Sequence, residues 1–193
     1  MSKSMRFAAL LATVALAGCG SSPKVNFYTL STDAAPPQAA APAPYSVAIG
    51  AVTIPDAVDR AQFVVRTGPN QVTVNEFEVW AGSLKTEIPR VIAGNLAQLL
   101  AGASVFAYPQ GGDADCKVLL DVQRFESAPG EAATVEVQWT VQAVKGAPRN
   151  GRSVAREATA GTGYDALAAA HSRALAAVSR DIAAAVRAAR DAK

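Results

Sequence analysis

Leu16, Ala17, Gly18 and Cys19 are the residues of this chain whose types and spacing could most readily support chemistry. A basic start, Lys3 and Arg6, precedes an apolar run over residues 7–17. A bilayer span needs ~20 apolar residues, so this run is too short to cross and fits the apolar region of a secretory signal. The small residues before Cys19 open the chain to a signal peptidase. The thiol is then placed to receive a diacylglycerol, and cleavage frees an amine that can be acylated. We therefore expect residues 1–18 to be a lipoprotein signal peptide and Cys19 to be the lipid attachment site. The alternative is an ordinary signal followed by a chance cysteine. Several acyl chains make a stable anchor, because each buried methylene contributes ~0.8 kcal/mol and one chain alone is marginal. Residue 20 is Gly rather than Asp, which by bacterial sorting rules favours the periplasmic face of the outer membrane over retention at the inner one.

Other reactive chemistry is sparse. The one histidine, His171, lies on an apolar helical stripe, where a packed or interface residue is the simpler reading than a ligand or a base. Without a second histidine or a cysteine cluster no transition-metal site is expected. Asp113 and Asp115 are too few for a calcium cage. No Gly-Lys-Ser/Thr phosphate loop and no Gly-x-Ser-x-Gly elbow occurs. Cys116 sits in an apolar, strand-like stretch and reads as a buried core residue, with a reactive or intermolecular thiol as the alternative. The expectation is a protein with no catalytic residues, no metal and no cofactor.

What remains is a set of polar and aromatic residues in candidate contact positions. Asp56, Asp59 and Arg60 fall between two strands and form either a locally paired loop or a contact surface. Arg66 and Asn70 follow at a hairpin. Trp80 precedes a helix and is either a core residue or an interface anchor, since exposed Trp and Arg concentrate binding energy. These six are the candidate partner interface.

The elements that must position them can be read from periodicity. Residues 26–30 form a short aromatic and β-branched run, an edge strand if it docks. Residues 31–44 are Ala- and Pro-rich and read as a linker. If the short strand does not dock, residues 19–44 are one tether of 26 residues, reaching about 80 Å at ~3.1 Å per residue. Strands are expected at 45–54, 62–67 and 71–77, the last two joined by the turn residues Gly68, Pro69 and Asn70. A helix spans 83–101, with Ile88, Ile92, Leu96, Leu99 and Leu100 on one face. Pro89 requires it to start near Glu87 or to kink. Further strands are expected at 104–108, 117–127, 134–144 and 153–159, with a loop at 145–151. A second helix covers 164–189, its apolar stripe running from Leu167 to Ala189 and its other face carrying Arg173, Arg180, Asp181, Arg187 and Arg190. This order predicts an α/β fold: one domain over 45–193, a mixed sheet packed with two main helices.

Charge sets limits on partners. The chain carries 18 basic and 16 acidic residues. Loss of Lys3 and Arg6 with the signal leaves the remainder near neutral, which argues against nucleic acid as a partner.

In order along the chain, several motifs resemble one family. Phe27-Tyr28-Thr29-Leu30, Ile54-Pro55, Val58-Asp59-Arg60-Ala61-Gln62 and Val64-Val65-Arg66-Thr67-Gly68-Pro69-Asn70 occur in sequence. Trp80-Ala81-Gly82-Ser83-Leu84, Arg90-Val91-Ile92-Ala93-Gly94-Asn95-Leu96 and Arg124-Phe125-Glu126 follow. Together they resemble the auxiliary lipoproteins of ABC-type transport systems, the PqiC type. Val79 stands where that family usually has Arg, and Gly82-Ser83 where it has Glu-Pro. The resemblance implies a periplasmic domain tethered to the outer membrane that docks an MCE-domain (PqiB-like) protein, a component of tubes that move lipid between membranes. It implies no catalysis; a ring-like homo-oligomer would suit such docking. Two rival readings remain: a lipid carrier with a pocket between sheet and helices, and a hydrolase using His171 as base.

Overall fold

In the computed structural model the described residues are 23–32, 45–110 and 113–191. The signal segment, Cys19 and residues 33–44 of the expected linker lie outside them. Eight strands and two helices follow in chain order: β1 (Asn26–Tyr28), β2 (Ser46–Thr53), β3 (Gln62–Gly68), β4 (Gln71–Trp80), α1 (Leu84–Leu99), β5 (Ser104–Ala107), β6 (Cys116–Ala128), β7 (Ala132–Ala143), β8 (Arg149–Ala158) and α2 (Tyr164–Asp191). A 3-10 turn at Asp56–Val58 links β2 to β3. The strands form one mixed sheet and the fold is α/β, as the pattern predicts.

β6 is the hub. Its first half pairs in parallel with β2, its end pairs in parallel with β3 through Val65 and Ser127, and its whole length pairs antiparallel with β7. Pro129 and Gly130 turn the chain between β6 and β7, with the Glu131 amide bonded to the Ala128 carbonyl. Gly130 has φ +72°, the left-handed value required at the third residue of a type II turn. Alternation is strict over the first eight residues of β6: Cys116, Val118, Leu120 and Val122 are buried, while Lys117, Leu119, Asp121 and Gln123 are exposed; it breaks at the register shift by Arg124. One face of the sheet therefore meets the helices and the other stays open. Between the layers Ile49, Phe63, Ile88, Leu96, Val118 and Leu175 belong to one continuous core.

The short N-terminal strand docks. β1 pairs in parallel with the end of β4, placing Asn26 opposite Glu78 and Tyr28 opposite Trp80. Leu30 is buried, and the Ser31 amide donates to Ser172 Oγ of α2 at 3.1 Å. The undocked alternative, in which residues 19–44 form one tether, is therefore set aside by the pairing of β1.

Two strand boundaries differ from the periodicity reading, and of the two expectations for α1 the later start is set aside. β4 runs on to Trp80, because its pairing with both β3 and β1 supports residues whose own alternation is broken by a bulge. β8 begins at Arg149, inside the expected loop, because Arg149 and Asn150 complete the ladder to Val141 and Thr140. α1 begins at Leu84, three residues before Glu87, and carries Pro89 within it; the Ser83 carbonyl accepts from the Thr86 and Glu87 amides at 2.9 Å. The arginines of α2 do more than face solvent: Arg187 donates to the Leu99 carbonyl that ends α1, Arg173 to the Ala158 carbonyl that ends β8, and Arg190 lies 3.5 Å over the Tyr45 ring.

Candidate docking surface

The helix-facing side of β1, β3, β4 and β6 is aromatic. Phe63 stacks on Trp80 at 4.0 Å, and Tyr28 and Tyr164 meet Phe63 edge-on at 5.5 and 5.2 Å. Phe125 stacks on His171 at 3.9 Å. Trp80 is 6% exposed, so its indole belongs to this core and is not presented as an interface anchor. Tyr28, Trp80 and Phe125, three residues of the quoted motifs, thus share a packing role.

His171 is fully buried. Its Nε2 lies 2.7 Å from Ser127 Oγ, and Nδ1 has no hydrogen-bond partner among the described residues. Burial alone holds its pKa far down, at about 3, because an imidazolium there has lost its hydration and gained no carboxylate. Cys116 is also buried, and desolvation pushes its thiol up, consistent with an inert core residue.

The other candidate contact residues separate into two groups. Asp59 and Arg60 line a shallow depression with Ala81, Gly82, Ser83 and the edge of the nearly buried Trp80; Asp59 is held by Lys85 Nζ at 2.5 Å, and Arg60 is exposed. Asp56 is exposed in the first turn of the 3-10 segment. On the open face of the sheet, Arg66 lies 3.2 Å from both Glu126 and Glu131, and Asn70 is exposed at the hairpin tip. A second depression, walled by Pro55, Ala57, Val58, Val64 and Val72, opens beside Arg66 and Arg124. The sequence reading places Asp59 and Arg66 in one set; the strand between them puts them in different depressions.

Sequence reasoning missed the remainder of the charged face. Glu136 of β7 takes Arg152 of β8 at 2.7 Å and Arg124 of β6 at 3.9 Å, while Arg156 lies 3.6 Å from Glu131. The hydrogen bond from Arg152, then the charges of Arg152 and Arg124, hold the Glu136 carboxyl below the ordinary range and raise Arg152. The alternate positions Arg152, Val154 and Arg156 were the available signal, but the partner strands had to be known before they became a cross-strand ladder.

A two-layer α/β fold with this order defines a class, and sequence comparison identifies it. A family model described as ABC-type transport auxiliary lipoprotein component matches residues 28–183, and this chain belongs to that family. No curated protein matches the sequence. Among solved structures, an uncharacterised protein superposes with TM-score 0.72 at 19% identity, covering 85% of this chain and 99% of its own. A protein from Xanthomonas campestris superposes with TM-score 0.63 at 20% identity, covering 82% and 93%. At such identities the likeness establishes the fold.

Proposed function

We propose that this protein is the tethered accessory of an ABC/MCE-type lipid transport system. Acyl chains on Cys19 fasten it to the periplasmic face of the outer membrane. The domain docks the periplasm-spanning MCE-domain (PqiB-like) component there, supports envelope integrity and catalyses nothing itself. The observation that carries this reading is the family match: it starts at Tyr28, shortly after the lipid-attachment motif, and runs to residue 183 near the end of α2.

Two structural facts favour it over its rivals. A hydrolase would draw on the Ser127–His171 pair, but these residues are 3% and 0% exposed, out of reach of a substrate. A carrier with its lipid between the layers would need space that the continuous core occupies. The open-face charges and the Asp59–Arg60 depression remain available for protein contact, where polar rims set register and specificity.

Crosslinking in intact envelopes followed by purification of this protein tests the docking. Recovery of an MCE-domain partner is expected, and its absence from efficiently crosslinked samples refutes it. Fatty-acid labelling tests the anchor: Cys19→Ala should lose the label, and a retained label places the lipid elsewhere.

A further inference from the structure

The N-terminal edge of the sheet carries apolar side chains that the core does not use, and we propose that this edge, centred on Phe27, is a membrane-contact surface resting on the phospholipid bilayer that holds the anchor. The inference rests on the reading of Cys19 as the acylated residue.

Alternation builds the surface. Asn26 Nδ2 donates to Glu78 Oε1 at 3.0 Å, and the Tyr28 hydroxyl donates to the same carboxylate, so Asn26, Tyr28 and Glu78 share one side of the β1–β4 pair. That side is the aromatic core, where Tyr28 meets Phe63. Phe27, between them, takes the other side, in register with Val79. Continuing the register by one pair brings Val25 alongside Phe77. Further along β4, Val74 and Val72 pair with Val64 and Arg66 on the same open side. Phe27 is 68% exposed, Val72 57%, Val25 and Phe77 39% each, and Val74 38%. Five apolar side chains thus follow one outer edge, two of them phenylalanine, a residue used on the apolar face of segments that lie in the membrane interface.

Chain length selects the bilayer as the occupant. Six residue steps separate Cys19 from Val25, so at ~3.6 Å per residue the fully extended path is about 22 Å. The headgroup zone of one leaflet takes up roughly 5–7 Å of that path. With its acyl chains in the hydrocarbon layer, Cys19 keeps the start of β1 near the surface, and the first exposed side chains among the described residues are Pro23, Lys24, Val25 and Phe27. Lys24, beside the patch, has a stem long enough to place its charge among headgroups.

The test uses the acylated, signal-processed protein with an environment-sensitive fluorophore on Phe27→Cys, on Phe77→Cys or, as a control beyond the far end of β7, on Val144→Cys (Val144 is 76% exposed). Each is placed in vesicles of phosphatidylethanolamine and phosphatidylglycerol doped with nitroxide-labelled phospholipid. Quenching at positions 27 and 77 should exceed that at 144 by about threefold, with blue-shifted emission, as interfacial insertion requires. Equal, weak quenching at all three overturns the proposal. So does protection of position 27 in detergent-purified oligomers with no change on adding vesicles, which assigns the edge to a second copy. Mass analysis of the N-terminal peptide in the same samples separates the two readings. An acylated protein with position 27 unquenched refutes only the contact surface; a chain recovered from cells without acyl groups on Cys19 refutes the anchor and this inference with it.

Discussion

Lowering the pH from 7 to 5 should destabilise this protein by about 2 kcal/mol through one side chain. His171 is the one histidine of the chain, and burial depresses its pKa to about 3. In the unfolded chain an imidazole titrates near ~6.5. Between these values the unfolded state binds the proton and the folded state does not. Stability is therefore complete above the unfolded value and is lost as pH falls below it, by ~1.4 kcal/mol per pH unit. At pH 5 the protein is about 1.5 units into that window, giving the figure of about 2 kcal/mol. For a domain of this size such a loss lowers the Tm by roughly 4–8 °C. Asp115 and Glu136 have depressed carboxyl pKa values, held down by Ser46 and Arg152 respectively, so their contribution is intact above the ordinary carboxylate value and is lost as pH falls through it, at the acid end of this range. Urea unfolding from pH 7.5 to 4.5 (roughly the upper half of the window) checks the slope, with His171→Phe as the partner experiment. The variant lacks the imidazole and the Ser127 contact, so it should start less stable and show a flat profile over pH 7 to 5. If wild type and variant lose stability in parallel, the burial argument for His171 is wrong.

Three further outcomes follow from the packing. Trp80→Ala should cost about 3–5 kcal/mol in urea unfolding, as large core truncations do, whereas Asn70→Ala at the exposed hairpin tip should stay within about 0.5 kcal/mol. Tyr28 has its pKa pushed up to about 12 by burial and by its hydrogen bond to Glu78, so ultraviolet titration should show a late ionisation that is absent in Tyr28→Phe. The sign for stability is that support from Tyr28 persists below the ordinary tyrosine value and is lost as pH rises toward 12. Gly151→Ala places a Cβ 2.1 Å from Trp139 Cζ2, so the indole must leave Gly151 and its 3.0 Å hydrogen bond to Ser153; a shifted near-ultraviolet spectrum with lower stability is expected.

The legible parts of this fold are those governed by local pattern. The β3–β4 hairpin announces itself through Gly68, Pro69 and Asn70 between two β-branched runs, and the Pro129-Gly130 turn does the same for β6 and β7. Both helices show their apolar stripes. The candidate site was legible only in part. Asp59 and Arg60 do reach a surface depression, but Trp80, which borders it, is nearly buried and packs in the aromatic core. A tryptophan at the end of a strand looks alike in sequence whether its side of the sheet meets a helix or water. The Glu136–Arg152–Arg124 ladder was invisible because its members come from three strands, whose register is set by long-range pairing.

From its sequence alone, this chain determines its element order, its turns, its α/β class and the chemistry open to Cys19, because these depend on neighbours within a few residues. Tertiary structure alone decides that Asn26–Tyr28 docks beside β4, that Ser127 meets His171 in a dry core, and that Phe27 is left outside. Those outcomes depend on which strand lies next to which and on which face the helices cover, and parallel pairing between segments some 50 residues apart leaves no local trace in the chain.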